Sequence, residues 1–167
     1  MKDIFIFSCY TGICYIDAMN LTPDDIVLGL DGDYWISISR QKTHQKSKVP
    51  LLPKAMEIID SYQGNLRANC RGRVFPLISN QKVNAYLKKI AILCKIDKNL
   101  TFHLARHTFT TTVTLLNGVP METVSKMLGH ASIRTTQIYA KVVEKKVRDD
   151  MKKLRAVFPI SIYSRLG

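Results

Sequence analysis

Only one stretch of this chain changes its hydrophobic period from three-to-four to two. Tyr34-Trp35-Ile36-Ser37-Ile38-Ser39 alternates, as a half-buried strand does. Val49-Pro50-Leu51-Leu52 fits the end of a partner strand, with the polar stretch from Gln41 to Lys48 as the hairpin tip. Most of the remainder carries apolar residues at helical spacing. One hairpin in an otherwise helical pattern predicts a mainly α fold (α+β) with a small antiparallel sheet. At 167 residues the chain has room for one domain with its own core.

Helix punctuation is frequent. Ile4 to Ile16 is an apolar run broken by Thr11 and Gly12, which predicts a buried helix followed by a tight turn. Thr22 with Pro23 reads as a helix start. A helix is expected over Pro53 to Tyr62, then a loop from Gln63 to Gly72. Ser79-Asn80 caps a helix to about Cys94, with Val83, Leu87, Ile90 and Ala91 on one face. Thr101 caps another that ends near Gly118, and Pro120 opens a short helix stopped by Gly129. Ser132 caps a further helix carrying Tyr139. A basic helix from about Val142 to Val157 follows, with Pro159 as its stop.

Charge is distributed unevenly. Between Tyr34 and Val143 seventeen Lys and Arg face only Glu57, Asp60, Asp97 and Glu122, and the whole chain carries +12. Such a surface favours a polyanion, because neutralised phosphates release condensed counterions. A basic domain with no such partner is the plainer alternative. The four cysteines (Cys9, Cys14, Cys70, Cys94) form no C-x-x-C pair and have no histidine at zinc-ligand spacing. They read as small buried hydrophobes, with no metal site. The apolar start is too short to span a membrane and lacks a basic n-region.

His103, Arg106 and His107 lie at i, i+3 and i+4 of one expected helix and share a face. His103-Leu104-Ala105-Arg106-His107-Thr108-Phe109 resembles the H-x-x-R-H-T-F box of tyrosine recombinases (phage-type integrases). Leu128-Gly129-His130 matches their L-G-H box, and Thr136-Gln137-Ile138-Tyr139-Ala140 is similar to their nucleophile segment. Upstream, Tyr10-Thr11-Gly12 begins the first box, T-G-L-R-x-x-E, with Asp17 at its acidic position. Arg40-Gln41-Lys42-Thr43 resembles the lysine loop, followed by Val49-Pro50-Leu51. Each box alone is weak, but five in the right order are specific.

The resemblance implies a mobile-element integrase domain that cuts and rejoins duplex DNA through a 3′-phosphotyrosine on Tyr139, without a cofactor. Arg106 and His130 would hold the non-bridging oxygens of a phosphorane. His103 would orient the tyrosine or shuttle its proton. Lys42 would protonate the leaving 5′ oxygen, and Asp17 would hold Arg106 or a histidine in place. Arg40, Lys46, Lys48, Arg71 and Arg73 are candidate DNA contacts. His107 reads as structural, Trp35 as a core residue and not a base-stacking platform, and His44 as a solvated hairpin residue. The implied assembly is a homotetramer on double-stranded DNA through exchange of the apolar C-terminal tail (Phe158, Ile160, Ile162, Tyr163). A monomer is plausible for the isolated domain. The implied location is the bacterial cytoplasm, with the nucleoid when DNA is bound, and no membrane. Residues 1–167 are expected to be a single catalytic domain, since nothing in them resembles the N-terminal core-binding domain of such enzymes.

One position departs from the pattern. The arginine two residues after the first-box glycine is Cys14 here. By motif order Arg73, Arg134 and Lys82 are candidates to fill that space. A DNA-binding module with weakened or no cleavage therefore stays open, as does a type IB topoisomerase-like enzyme.

Overall fold

The alternating stretch forms the middle strand of a three-stranded antiparallel sheet. The structure, a computed structural model, describes residues 2–158. The sheet order is β1 (Ile26–Leu28), β2 (Tyr34–Ser39) and β3 (Lys46–Pro50), with Ile36 opposite both Ile26 and Val49. This register buries Ile36 and Val49 and turns Lys46 and Lys48 outward. β3 starts earlier than the apolar pattern suggested, because backbone pairing from Ser39 to Lys46 shortens the turn.

β1 is a correction. Thr22 and Pro23 open only one turn of 3₁₀ helix, Pro23–Asp25, not a longer helix. The Asp25 carboxylate accepts bonds from Thr22 N and Oγ1, both at 2.8 Å. Ile26-Val27-Leu28 then extends and pairs with β2. Two β-branched residues in three favour the pleated strand over further helix.

Helix α1 (Lys2–Thr11) ends where expected, at Gly12, and α2 (Tyr15–Asn20) follows at once. Gly12 has φ +69°, and a Cβ there would lie 2.4 Å from Phe109 Cδ1 and 2.9 Å from Leu128 Cδ2. No side chain fits that place. After the sheet come α3 (Pro53–Ser61), the short α4 (Leu66–Asn69) and α5 (Asn80–Leu93). The Ser79 cap accepts from Lys82 N at 3.3 Å. The expected 63–72 loop thus contains one helical turn, capped by the Asn65 side chain on Ala68 N.

Helix α6 (His103–Thr108) does not stay regular. It widens into a π-helical stretch, Phe109–Thr114, and closes as a 3₁₀ turn, Leu115–Asn117. The threonines explain the change. Thr110, Thr111 and Thr114 turn their hydroxyls back onto the carbonyls of Arg106, His107 and Thr110 at 2.7–2.8 Å. Helix α7 (Met121–Met127) follows, then α8 (Arg134–Gln137) and α9 (Ala140–Val157). Pro159, Ile160, Ile162 and Tyr163 lie outside the described residues.

Two buried clusters result. The larger includes Ile4, Phe7, Met19, Leu21, Ile36 and Phe75, and the smaller is Val49, Phe109, Leu115, Val124, Leu128 and Tyr139. Two sequence expectations are corrected. Cys70 and Cys94 are exposed instead of buried, and Trp35 is half-buried, its Nε1 donating to Asp31 at 3.0 Å. Among the described residues, no helix is long and apolar enough to cross a membrane.

Candidate active site

Arg106 joins the two clusters. It is buried, at 8% exposure, on the first turns of α6. Nη1 donates to the Gly12 carbonyl at 2.7 Å, beside the break after α1, and Nη2 donates to the Leu128 carbonyl at 2.6 Å, beyond α7. Nη2 also lies 3.0 Å from His130 Nε2. A guanidinium can only donate, so that ring nitrogen accepts. The proton then sits on Nδ1, which faces Thr136 Oγ1 at 2.8 Å. Burial, followed by the charges of Arg106 and Arg40, holds the His130 pKa down at about 4. The ring is therefore neutral near pH 7. Burial first, and then Arg40, also lowers Arg106 to about 10, still mostly charged.

Tyr139 is also buried, at 9% exposure. It lies at the junction of α8 and α9, not within the helix opened by Ser132. Its hydroxyl is 2.9 Å from His107 Nδ1, and the two rings pack edge to face with centroids 5.3 Å apart. Burial raises its pKa, while a bond with Thr110 and the charge of Arg106 act in the opposite direction.

His103, expected to face the tyrosine, is exposed and packs edge-on against His107 with centroids 4.6 Å apart. Burial, then the His107 and Arg106 charges, lowers its pKa. A cleft of about 340 Å³ opens here, bordered by Cys14, Asn80, Asn84, Phe102, His103 and Arg106. Lys42 is exposed on the turn between β2 and β3.

Asp17 does not hold Arg106 or a histidine. Its Oδ1 accepts from Gln41 N at 2.9 Å, and its Oδ2 accepts from the Cys14 thiol at 3.0 Å and lies 3.6 Å from Arg40 Nε. Arg40 is accordingly not the surface contact its sequence position suggested. It is buried at 9%, with Nη1 donating to the carbonyls of Leu128 at 3.0 Å and Gly129 at 3.2 Å. Arg73 is also engaged internally, through the Asn20 carbonyl. Lys46, Lys48 and Arg71 are exposed. Among the described residues, no group of His, Cys, Asp and Glu is placed to hold a metal ion.

The family model described as the phage integrase family matches residues 2–146. The chain belongs to the phage integrase family, the tyrosine recombinases. A tyrosine recombinase XerD from Halalkalibacterium halodurans is 35% identical over 152 residues, covering 83% of this chain and 48% of the relative. A XerC from Listeria monocytogenes serotype 4b is 32% identical over 145 residues, covering 80% and 46%. The chain thus spans about half the length of these curated relatives. Among solved structures, the XerH recombinase in a post-cleavage complex with its difH substrate aligns over 90% of this chain and 44% of its own, with TM-score 0.71 and 20% identity. The catalytic domain of bacteriophage HP1 integrase aligns over 98% of this chain and 84% of its own, with TM-score 0.62 and 22% identity. Both share the fold.

Within this integrase domain the boxes converge on one place. The structure brings together Arg106, His130 and Tyr139, with His103 at the mouth. From the sequence His107 reads as structural and Arg40 as a surface DNA contact, and neither is placed beside the tyrosine or Arg106. For His107 the available signal was its spacing, one residue after Arg106 on the same helix face. For Arg40 no local signal existed, because its partners are carbonyls about ninety positions away in sequence.

Proposed function

We propose that this domain breaks and rejoins DNA strands in site-specific recombination through a phosphotyrosine on Tyr139. Tyr139 Oη attacks the scissile phosphorus, forming the O–P bond as the bond to O5′ breaks. The hydroxyl proton passes to His107 Nδ1, with His103 beside it, and the departing O5′ takes a proton from the Lys42 ammonium. The products are a 3′-phosphotyrosine and a free 5′-hydroxyl, and attack by a 5′-hydroxyl reverses the step without an external energy source. Arg106 stabilises the extra negative charge of the phosphorane, and His130, whose Nε2 accepts from Arg106 Nη2, holds that guanidinium in place instead of donating to the phosphate itself.

The observation that carries this reading is the setting of Arg106. Its buried guanidinium is fixed by two carbonyls and a neutral histidine, at the edge of a cleft and within electrostatic reach of the Tyr139 hydroxyl. Membership of a strand-transferase family supports it. Cys14 favours a second reading, in which the domain holds DNA but cuts it weakly or not at all.

A nicked suicide substrate separates the two readings. Covalent protein–DNA adduct with the natural chain, and none with Tyr139→Phe at similar DNA affinity, supports cleavage. A gel shift with no adduct supports the binding module.

Residues 1–167 act in this reading as a single catalytic domain on double-stranded DNA, within a homotetramer linked by C-terminal tails. An apolar groove of about 580 Å³ between β3 and α7, lined by Leu52, Phe109, Val113, Val119 and Met127, is of suitable character to receive a neighbour's tail. Shortening the chain from Phe158 onward should lower multimer formation on DNA without unfolding the monomer.

A further inference from the structure

Cys14 leaves the family's first-box arginine missing, yet the wall of the site beside it carries a second buried guanidinium. Arg40 and Arg106 share one acceptor, the Leu128 carbonyl oxygen, at 3.0 and 2.6 Å. Asp17, the acidic member of the first box, has its Oδ2 between the Cys14 thiol and Arg40. The carboxylate of that box is thus given to Arg40. None of the residues favoured by motif order takes this place. Arg73 is bonded to Asn20, while Lys82 and Arg134 are exposed at the starts of α5 and α8.

Two features show that Arg40 is accommodated here and not merely buried. Gly129 has φ +58°, and a Cβ on it would meet Arg40 Cδ at 2.6 Å and Cγ at 3.3 Å. The glycine of the L-G-H box therefore leaves the path by which this side chain enters. In addition, Arg40 is not saturated. Nε is buried without a hydrogen bond, facing Asp17 only as an ion pair, and Nη2 makes no hydrogen bond to any described residue. Two guanidiniums and one carboxylate leave an excess of positive charge in a half-desolvated place, and such an arrangement is stabilised by an anion.

We propose that Arg40 supplies the second guanidinium of the phosphate clamp in place of the arginine absent at Cys14, binding a non-bridging oxygen of the scissile phosphodiester beside Arg106. The inference rests on the strand-transfer reading above. It assigns to the β2–β3 hairpin a role that the sequence pattern gives to the segment after α1.

The test compares the natural chain, Arg40→Ala, Arg40→Lys and the double variant Cys14→Arg/Arg40→Ala on two suicide DNAs. One carries an ordinary scissile phosphate, the other a methylphosphonate. Replacing one non-bridging oxygen by methyl removes the negative charge that a second guanidinium serves. On phosphate, Arg40→Ala should lose about 10²–10³ in adduct rate, as for other lost oxyanion donors. Arg40→Lys should recover only part, since an ammonium lacks the planar fork. The double variant should recover most of the loss. On one methylphosphonate stereoisomer the Arg40→Ala deficit should nearly vanish. Equal deficits on both DNAs would make Arg40 a purely structural tie and overturn the proposal, as would a near-normal rate for Arg40→Ala on phosphate. Circular dichroism reports folding, and if Arg40→Ala unfolds, the lysine and double variants carry the comparison. No adduct from the natural chain on either DNA defeats the strand-transfer reading and this inference with it, whereas normal adduct insensitive to Arg40 defeats this inference alone.

Discussion

The Tyr139 hydroxyl lies 2.9 Å from Nδ1 of His107, the histidine directly after Arg106 in the chain. A ring nitrogen at that distance can accept the proton as the nucleophile forms. His107→Ala should therefore slow adduct formation by about 10²-fold, within the usual range for a positioned proton acceptor. His103→Ala, which removes only a ring packed against His107, should cost less. Single-turnover rates on a suicide substrate measure both, and a larger loss for His103→Ala would return the proton to that residue.

Acid should weaken the fold through His130. Its folded pKa, about 4, lies below the ordinary 6.5, so between these values the unfolded chain binds a proton that the folded one refuses. Stability from this group is full above about pH 6.5 and is lost as the pH falls towards 4. The melting temperature should decline across that window, and His130→Asn should flatten the decline. A variant curve parallel to that of the natural chain would assign the loss to other groups.

Gly129→Ala should damage stability and activity together. The left-handed backbone alone costs roughly 1–2 kcal/mol for a residue with a Cβ. The added methyl also meets the Arg40 stem. Denaturant unfolding and adduct rates should both fall, whereas a strain confined to the loop would lower stability and leave the rate intact.

Lys42→Ala should slow cleavage of ordinary DNA far more than of DNA with a 5′-bridging phosphorothiolate. A thiolate leaves without a proton, so a general acid is dispensable there. Equal losses on the two substrates would remove Lys42 from that role.

The parts of this molecule legible in its sequence are those set by local pattern. Ser79 before Asn80 fixed the start of α5, and the Tyr34–Ser39 alternation gave β2 residue for residue. His103, Arg106 and His107 share a face because helical spacing demands it. What escaped depends on distant partners. β1 is three residues long and exists through its pairing with β2. Arg40 sits in a polar segment that looks solvated, and only the fold brings the carbonyls of Leu128 and Gly129 onto it. Asp17 was recognisable as a supporting acid, but its partner was not, since Gln41 and Arg40 reach it only when the hairpin folds back.

The threonine-rich widening of α6 also acts as a phase adjuster. Residues before it present His103 and Arg106 to the cleft, and residues after it place Leu115 in the smaller core. The two duties need not be in register on an ideal helix, where each residue advances the direction by about 100°. Thr114 Oγ1 reaches the carbonyls of both Phe109 and Thr110, so the slack is taken up between them. Deleting one threonine from this stretch would leave His103 and Arg106 as they stand and rotate the floor beneath them, uncoupling the two.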